Sequence, residues 1–537
     1  MTLSEYFIAG LGLVFGFSWL IFVHELGHYL VAKWNGVRVH VFSLGMGPYI
    51  LSYRRGETLY VLSLVPIGGY VKMAGQDDLK PSLEPTRDPR DYRNKKPGRR
   101  AAILAAGAAF NLLFAYLAFA LCYYVGVEMD AAVIGEVTPG TPLARAQEYD
   151  SSGRLQPAPL QKGDVITMIN GEPVKCQLEI TLAVASAGSD RDITIDYLRG
   201  DRPARTPALV HTQKDPELGA ATLGLEPYQK EERLRIGIEA DEAVYVRGTT
   251  AGSAAEAAGL QRGDRVVSLD GQRIQRASQI VGAVEAAKGR PQELAIEREG
   301  APMTVTLAGQ WNPTSQRYLI GMEMARIYRV MRIDPECEAY GAGVREGDVI
   351  TVVHKLRNGR EVALAFGRMG KGEPADVKMA RVPLETRCAS PLFFGIQVPE
   401  TKLIKYDTAG EAFAVAWTDL WRNSLTVFVI IKRLFTRDVS FKAMSGPYGI
   451  GKLMTNVAVE RPLMFYFWIL ALLSLNLGVL QIVPIPLLDG FHLVMLGVEK
   501  LKGTPVPLKV QEAFQYVGLV LILALLIFVT FNDIMRK

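Results

Sequence analysis

The sequence predicts a multi-domain α+β membrane protein, a four-span helical core interrupted by an extracytoplasmic array of β-rich domains. Three observations predict it. Of the 537 residues 49% are hydrophobic, and mean hydropathy is positive. The longest apolar runs sit in two pairs, one near each end of the chain. Between the pairs lies a long, more polar stretch that repeats its turn and strand signals.

The four runs cover about 7–31, 102–126, 463–485 and 514–531. Each approaches the ~20 apolar residues that cross a bilayer core. The first lacks a basic n-region and a small-residue cleavage site and continues into a polar motif, so it reads as a retained span. A fifth segment, about 411–435, carries Asp419, Arg422, Lys432 and Arg433 among apolar residues, with Trp417 and Trp421 as interface anchors. It reads as an amphipathic helix on the membrane surface, with a fifth span as the alternative. The basic cluster Arg93 to Arg100 precedes the second run and marks that end as cytoplasmic. With a net charge of only +5, a juxtamembrane anchor explains this cluster better than a nucleic-acid patch, and no nucleic-acid partner is expected. Four spans then leave both termini, and residues 128 to 405, outside. Lys500, Lys502 and Lys509 fall in the last cytoplasmic connection, whereas Arg536 and Lys537 run against the rule. The four cysteines, Cys122, Cys176, Cys337 and Cys388, form no CxxC pair, so neither a disulfide framework nor a cysteine metal site is indicated, and a single bond among the last three is left open.

The middle stretch repeats Leu160-Gln161-Lys162-Gly163-Asp164 as Leu260-Gln261-Arg262-Gly263-Asp264 and, more loosely, as Val344-Arg345-Glu346-Gly347-Asp348. An alternating apolar strand follows each. Asn170-Gly171 and Asp270-Gly271 then supply hairpin signals, and the third copy is degenerate. Later in each unit comes an apolar-Gly-apolar triplet: Leu223-Gly224-Leu225, Ile320-Gly321-Met322 and Phe394-Gly395-Ile396. The units resemble circularly permuted PDZ domains, in which such a loop receives a peptide carboxylate beside an edge strand. Spacers that bind nothing are the alternative.

The chemistry sits in the first run. His24-Glu25-Leu26-Gly27-His28 places two imidazoles one helical turn apart with a carboxylate between them. Two such histidines can hold one zinc ion, and the glutamate can act as general base. Ionisable groups at membrane depth are costly and need partners, so a functional site is expected. A catalytic zinc takes a third protein ligand. Asp489, at the cytoplasmic end of the third run, is the carboxylate at matching depth, and His492 is a rival. Asp489 as a plain helix cap is the bland alternative.

HExxH in the first span, Leu488-Asp489-Gly490 downstream and PDZ-like repeats between spans resemble the site-2 protease family of intramembrane zinc metalloproteases. Val65-Pro66-Ile67-Gly68-Gly69-Tyr70, Gly107-Ala108-Ala109-Phe110-Asn111 and Ser445-Gly446-Pro447-Tyr448-Gly449 agree with it. The resemblance implies His24, His28 and Asp489 as ligands of one zinc and Glu25 as the base. It also implies single-span membrane proteins as substrates, an upstream site-1 protease, and residence in a bacterial inner membrane. Asn111 and Asn476 are candidates to stabilise an oxyanion or hold the substrate backbone, or simply to bond between helices. Gln481 stands where relatives carry Asn, and Phe491 where they carry a second Gly, crowding the turn. The strand Thr58 to Leu64, with Tyr60, Val61 and Leu62, reads as an edge strand that pairs with unwound substrate, ahead of a turn at Gly68 and Gly69. The expected domains are 1–127, 128–230, 231–326, 327–405, 406–450 and 451–537. A PDZ-type scaffold with proteolysis secondary or lost is the competing reading.

Overall fold

The computed structural model describes residues 3–535 except 76–87, 138–140, 151, 201, 205, 215–220, 224, 228, 236–237, 275–276, 299, 313–316, 334, 336, 356–360, 370–373, 384–392, 437, 441–443 and 505. It divides into two units, Met1–Glu128 with Leu403–Lys537, and Met129–Lys402.

The first unit is built on helices α1 (Leu3–Trp34), α2 (Pro97–Val125), α3 (Ala409–Phe435), α4 (Pro447–Glu460), α5 (Leu463–Ile482), α6 (Asp489–Lys502) and α7 (Leu508–Met535). Among the described residues four segments are long and apolar enough to cross a membrane: Phe7–Trp34, Pro97–Val125, Leu463–Ile482 and Lys509–Met535. Helix α3 is not one of them. Its N-terminal half buries Ala412, Ala416, Asp419, Leu420 and Asn423, and Phe413 and Trp417 pack edge-on against Tyr116 of α2. Asp419, which interrupts the apolar pattern, accepts a 2.6 Å hydrogen bond from the Tyr123 hydroxyl. The third apolar run is cut short. Pro484 and Pro486 cannot continue a helix, α5 stops at Ile482, and a new helix opens at Asp489.

Between α1 and α2, strands β1 (Val39–Arg55) and β2 (Thr58–Met73) double back to make four antiparallel lanes. Gly45 and Gly47, at φ +88° and +87°, allow β1 to reverse. Lane 39–44 pairs with 69–73 on one side and 58–65 on the other, and 58–65 pairs in turn with 49–55. Thr58 to Leu64 is therefore an interior lane, not the expected edge. Both its backbone sides are taken, Val61 is buried, and Tyr60 Oη lies 2.5 Å from Tyr29 Oη. Among the described residues the edges are 49–55 and 69–73.

The sheet is tied to α1 by charge. Lys33 donates to Glu57 at 2.6 Å, and Arg90 donates to its other oxygen. These bonds hold the Glu57 carboxyl at about 2 instead of its ordinary 4.5. A lowered acid stabilises the fold fully above its unfolded value and loses that contribution as pH falls through the folded one. Protease protection of 39–73 is expected to weaken as pH drops from 4.5 to about 2. In Glu57→Gln that pH dependence should disappear.

In the second unit, a first β-body surrounds Ile134, Leu143, Ile166, Ile193 and Ile195, with helix Gln177–Ala187 against its sheet. Asn170 and Asp270 take positive φ (52° and 47°) before Gly171 and Gly271, as the hairpin signals predict. Most of the later strands form one nine-stranded sheet, and others make separate two-stranded pairs. Strands Ile238–Thr249 and Met322–Ile333 run through it side by side. Their 244–249 and 322–324 ends pack with one core (Val244, Val246, Val266, Leu294), while Ile238, Val330 and Ile333 pack with another (Ile350, Leu364, Phe366). Strand Gln229–Arg235 also pairs with Phe393–Pro399. The expected boundary at 326/327 is thus not a boundary: the second module is nested inside the third. Phe394-Gly395-Ile396 lies within that last strand rather than in a loop. Cys337 is disulfide-bonded, and Cys122 and Cys176 are free.

The repeated Gly-Asp turns share a lock. Asp164 and Asp264 are buried, and each accepts a two-pronged contact, from Arg199 (2.8 and 2.7 Å) and from Arg298 (2.7 and 2.7 Å). Each also accepts the N–H of Gln161 or Gln261 at 2.8 Å. The arginines are partly exposed but the aspartates are buried, so removing an arginine leaves a buried carboxylate without its cation and costs up to about 3 kcal/mol. Arg298→Ala is expected to destabilise the nested module by that order, read as earlier cleavage within 244–326 in urea pulse proteolysis of the intact protein.

Candidate metal centre

Helical period places His24 and His28 on one face of α1, and both are 8% exposed. Their Nε2 atoms lie 3.1 Å apart, and each is 3.3 Å from Asp489 Oδ2. One ligand atom from each residue falls within 4.8 Å of the others, the arrangement of a metal site. His492 is not in this group. Asp489 Oδ2 is buried and makes no hydrogen bond among the described residues, an oxygen aimed at two imidazole nitrogens. Two neutral nitrogens and one carboxylate converging on one point suit zinc, which takes N and O ligands and leaves a fourth position open in catalytic sites.

The backbone explains why these atoms meet. Asp489 begins α6, where the helix N-terminus favours a carboxylate. The Pro484 to Leu488 turn brings that N-terminus back against α5. Gly490 leaves no room for a side chain, since a Cβ there would collide with the Ile482 and Val483 carbonyls. Phe491 does not crowd this turn: its ring is buried and meets Phe514 of α7 at 5.8 Å. At the other end of α6, Glu499 pairs with Arg100 at the start of α2.

Behind the histidines, α2 presents Gly107. A Cβ there would stand 2.6 Å from His24 Cε1 and would strike His28 Nε2. Sequence reasoning recognised the motif around Gly107 without seeing this role. Asn111, four residues on, is fully buried with its amide 3.4 Å from His24 Nδ1. His28 Nδ1 lies 2.8 Å from Ile103 O. Glu25 is half-buried, and Gly69 lies against it, an added Cβ being 3.4 Å from Glu25 Cγ. Of the candidate substrate-binding residues around this sheet, therefore, it is Gly69 that lies against Glu25. Asn476 and Gln481 are half-buried on α5 with no side-chain hydrogen bond among the described residues. Ile320 is buried before Gly321 (φ +68°), and its carbonyl accepts from Ala255 N–H at 2.8 Å. The carbonyl of Leu223 likewise accepts from Leu143 N–H at 3.2 Å; Gly224 lies outside the described residues.

Known proteins resemble this chain over nearly its whole length. The sequence model for "Peptidase family M50" matches residues 12–525. The regulator of sigma-E protease RseP of Salmonella typhimurium is 31% identical over 530 residues, covering 96% of each chain. RseP of Escherichia coli K12 is 30% identical over 542 residues, covering 99% of this chain and 98% of that one. A putative zinc metalloprotease of Ralstonia nicotianae is 27% identical over 544 residues, covering 98% of each. The chain belongs to peptidase family M50, the site-2 proteases, and is a membrane metalloprotease.

Proposed function

We propose that this protein is a zinc-dependent intramembrane endopeptidase that cuts single-span membrane proteins, with His24, His28 and Asp489 holding one zinc ion and Glu25 as general base. The observation that carries it is the convergence of Asp489 Oδ2 on both imidazoles, 3.3 Å from each, beside the HExxH glutamate. When bound there, zinc supplies Lewis acidity to the scissile carbonyl and to the attacking water. Glu25 takes a proton from that water as its oxygen bonds to the carbonyl carbon, and returns it to the amine as the C–N bond breaks. The 69–73 lane, whose Gly69 lies beside Glu25, has no strand on its outer side among the described residues, and an unwound substrate adds there as a further strand.

Residues 129–402 face the extracytoplasmic side of a bacterial inner membrane in this reading. Support comes from the basic start of α2 and from the disulfide at Cys337, since such bonds persist in oxidising compartments. The loops at Leu223 to Leu225 and Ile320 to Met322 take a newly made C-terminus, so that the modules admit substrates already trimmed by an upstream site-1 protease. Release of an anti-sigma factor fits the names of the RseP relatives, and clearance of signal-peptide remnants uses the same chemistry.

The test is cleavage, in membranes, of tagged single-span proteins with truncated outer domains. Wild type should cut, while Asp489→Asn and chelator-treated wild type should not. Product formation by a demetallated Asp489→Asn protein would sink the mechanism.

A further inference from the structure

His24 uses its two ring nitrogens differently. Nε2 faces Asp489 and His28, while Nδ1 lies 3.4 Å from the Asn111 amide. An imidazole that gives its Nε2 lone pair to a metal is neutral and carries its proton on Nδ1, so Nδ1 must donate. His28 meets this demand through a fixed acceptor, Ile103 O at 2.8 Å. For His24, the side chain in that position among the described residues is Asn111.

An amide has one accepting end and one donating end, and a half-turn exchanges them. With Nδ2 toward the ring, Oδ1 is buried without a hydrogen-bond partner among the described residues. In the metal-loaded tautomer that orientation also sets two N–H groups against each other in a dry site. The half-turn replaces this repulsion with an Nδ1–H···Oδ1 hydrogen bond. The buried site satisfies one end of the amide, and the ligand nitrogen of His24 decides which. The residue itself cannot move away. The backbone carbonyl of Asn111 accepts from Ser474 Oγ at 3.0 Å, and a Cβ on Gly478 of α5 would already be 3.2 Å from Asn111 Cβ.

We infer that Asn111 is a positioning residue: its Oδ1 accepts from His24 Nδ1–H and locks His24 as an Nε2 ligand. It is not the oxyanion donor. This rests on His24, His28 and Asp489 being the ligand set. It completes a pattern in which each ligand histidine is held from behind by an oxygen of α2.

The test is zinc affinity, by chelator competition on the full chain in detergent, for wild type, Asn111→Leu, Asn111→Asp and His24→Ala. Leu keeps the branched outline of Asn and lacks the acceptor, whereas Asp keeps it. Losing an outer partner of a ligand histidine typically costs 10–100-fold in metal affinity, so about that loss is expected for Asn111→Leu. Asn111→Asp should stay near wild type, and the thermal unfolding of the metal-free proteins should be alike. Wild-type zinc affinity in Asn111→Leu with cleavage lost would overturn the inference in favour of an amide acting on substrate. Nitrogen NMR of the zinc-loaded wild type decides independently of any variant. A protonated, hydrogen-bonded His24 Nδ1 with Nε2 coordinated is expected, and coordination through Nδ1 would overturn the inference. Unchanged zinc affinity in His24→Ala would instead sink the ligand set itself.

Discussion

Glu25→Gln is expected to abolish cleavage while leaving zinc in place. Glutamine keeps the volume of the side chain packed beside Gly69 and removes only its ability to take a proton. General-base catalysis typically contributes 10²–10⁴-fold, so kcat should fall by about that factor. The His24, His28 and Asp489 atoms are unchanged, so metal content measured on the purified variant should match wild type. The pair of measurements separates a lost base from a lost metal. Equal product from wild type and Glu25→Gln would remove Glu25 from the reaction.

Gly107→Ala is the second large effect, and it comes from a residue with no chemistry of its own. The added methyl would stand 2.6 Å from His24 Cε1 and 2.8 Å from His24 Nε2, closer than real carbon contacts allow. Neither a helix backbone nor a ligand imidazole yields cheaply, so the histidines must shift. Displacement of a reacting group by about 1 Å costs on the order of 100-fold in rate. Cleavage is expected to fall by that order, together with zinc affinity. Gly98→Ala, where an added Cβ meets nothing within 4 Å, should behave as wild type in the same assay.

Part of this site was legible before any coordinates. HExxH and the helical repeat put His24 and His28 on one face, and matching depth singled out Asp489. Gly107 was not legible, because its need to be glycine arises where two helices cross, and no local pattern encodes a crossing. The edge of the β1–β2 sheet was misplaced for a related reason. Gly45 and Gly47 fold β1 back on itself, so lane 49–55 covers the side of Thr58 to Leu64 that a plain hairpin would leave open. Hydropathy located the four apolar runs but not all their helix ends: the second and fourth begin earlier, at Pro97 and Lys509, the fourth runs on to Met535, and Pro484 and Pro486 stop α5 at Ile482. Arg199 and Arg298 left a usable signal: each follows its Gly-Asp turn at nearly the same distance, 35 and 34 residues on. The nesting of the β modules left none, since it depends on pairing between strands far apart in sequence.

That nesting imposes an order of events on the nascent chain. Strand 229–235 has no partner until 393–399 has been made, and 238–243 waits for 327–333. Closing so long an unstructured loop is entropically costly and slow. Once residues 244–326 collapse around their own core, their two ends emerge as neighbouring strands, and the remaining closure becomes a local one. The inner module thus serves as a folding template for the outer. A variant that weakens the inner core, Arg298→Ala among them, should therefore delay protection of 229–243 and 327–399, although none of those residues has been changed.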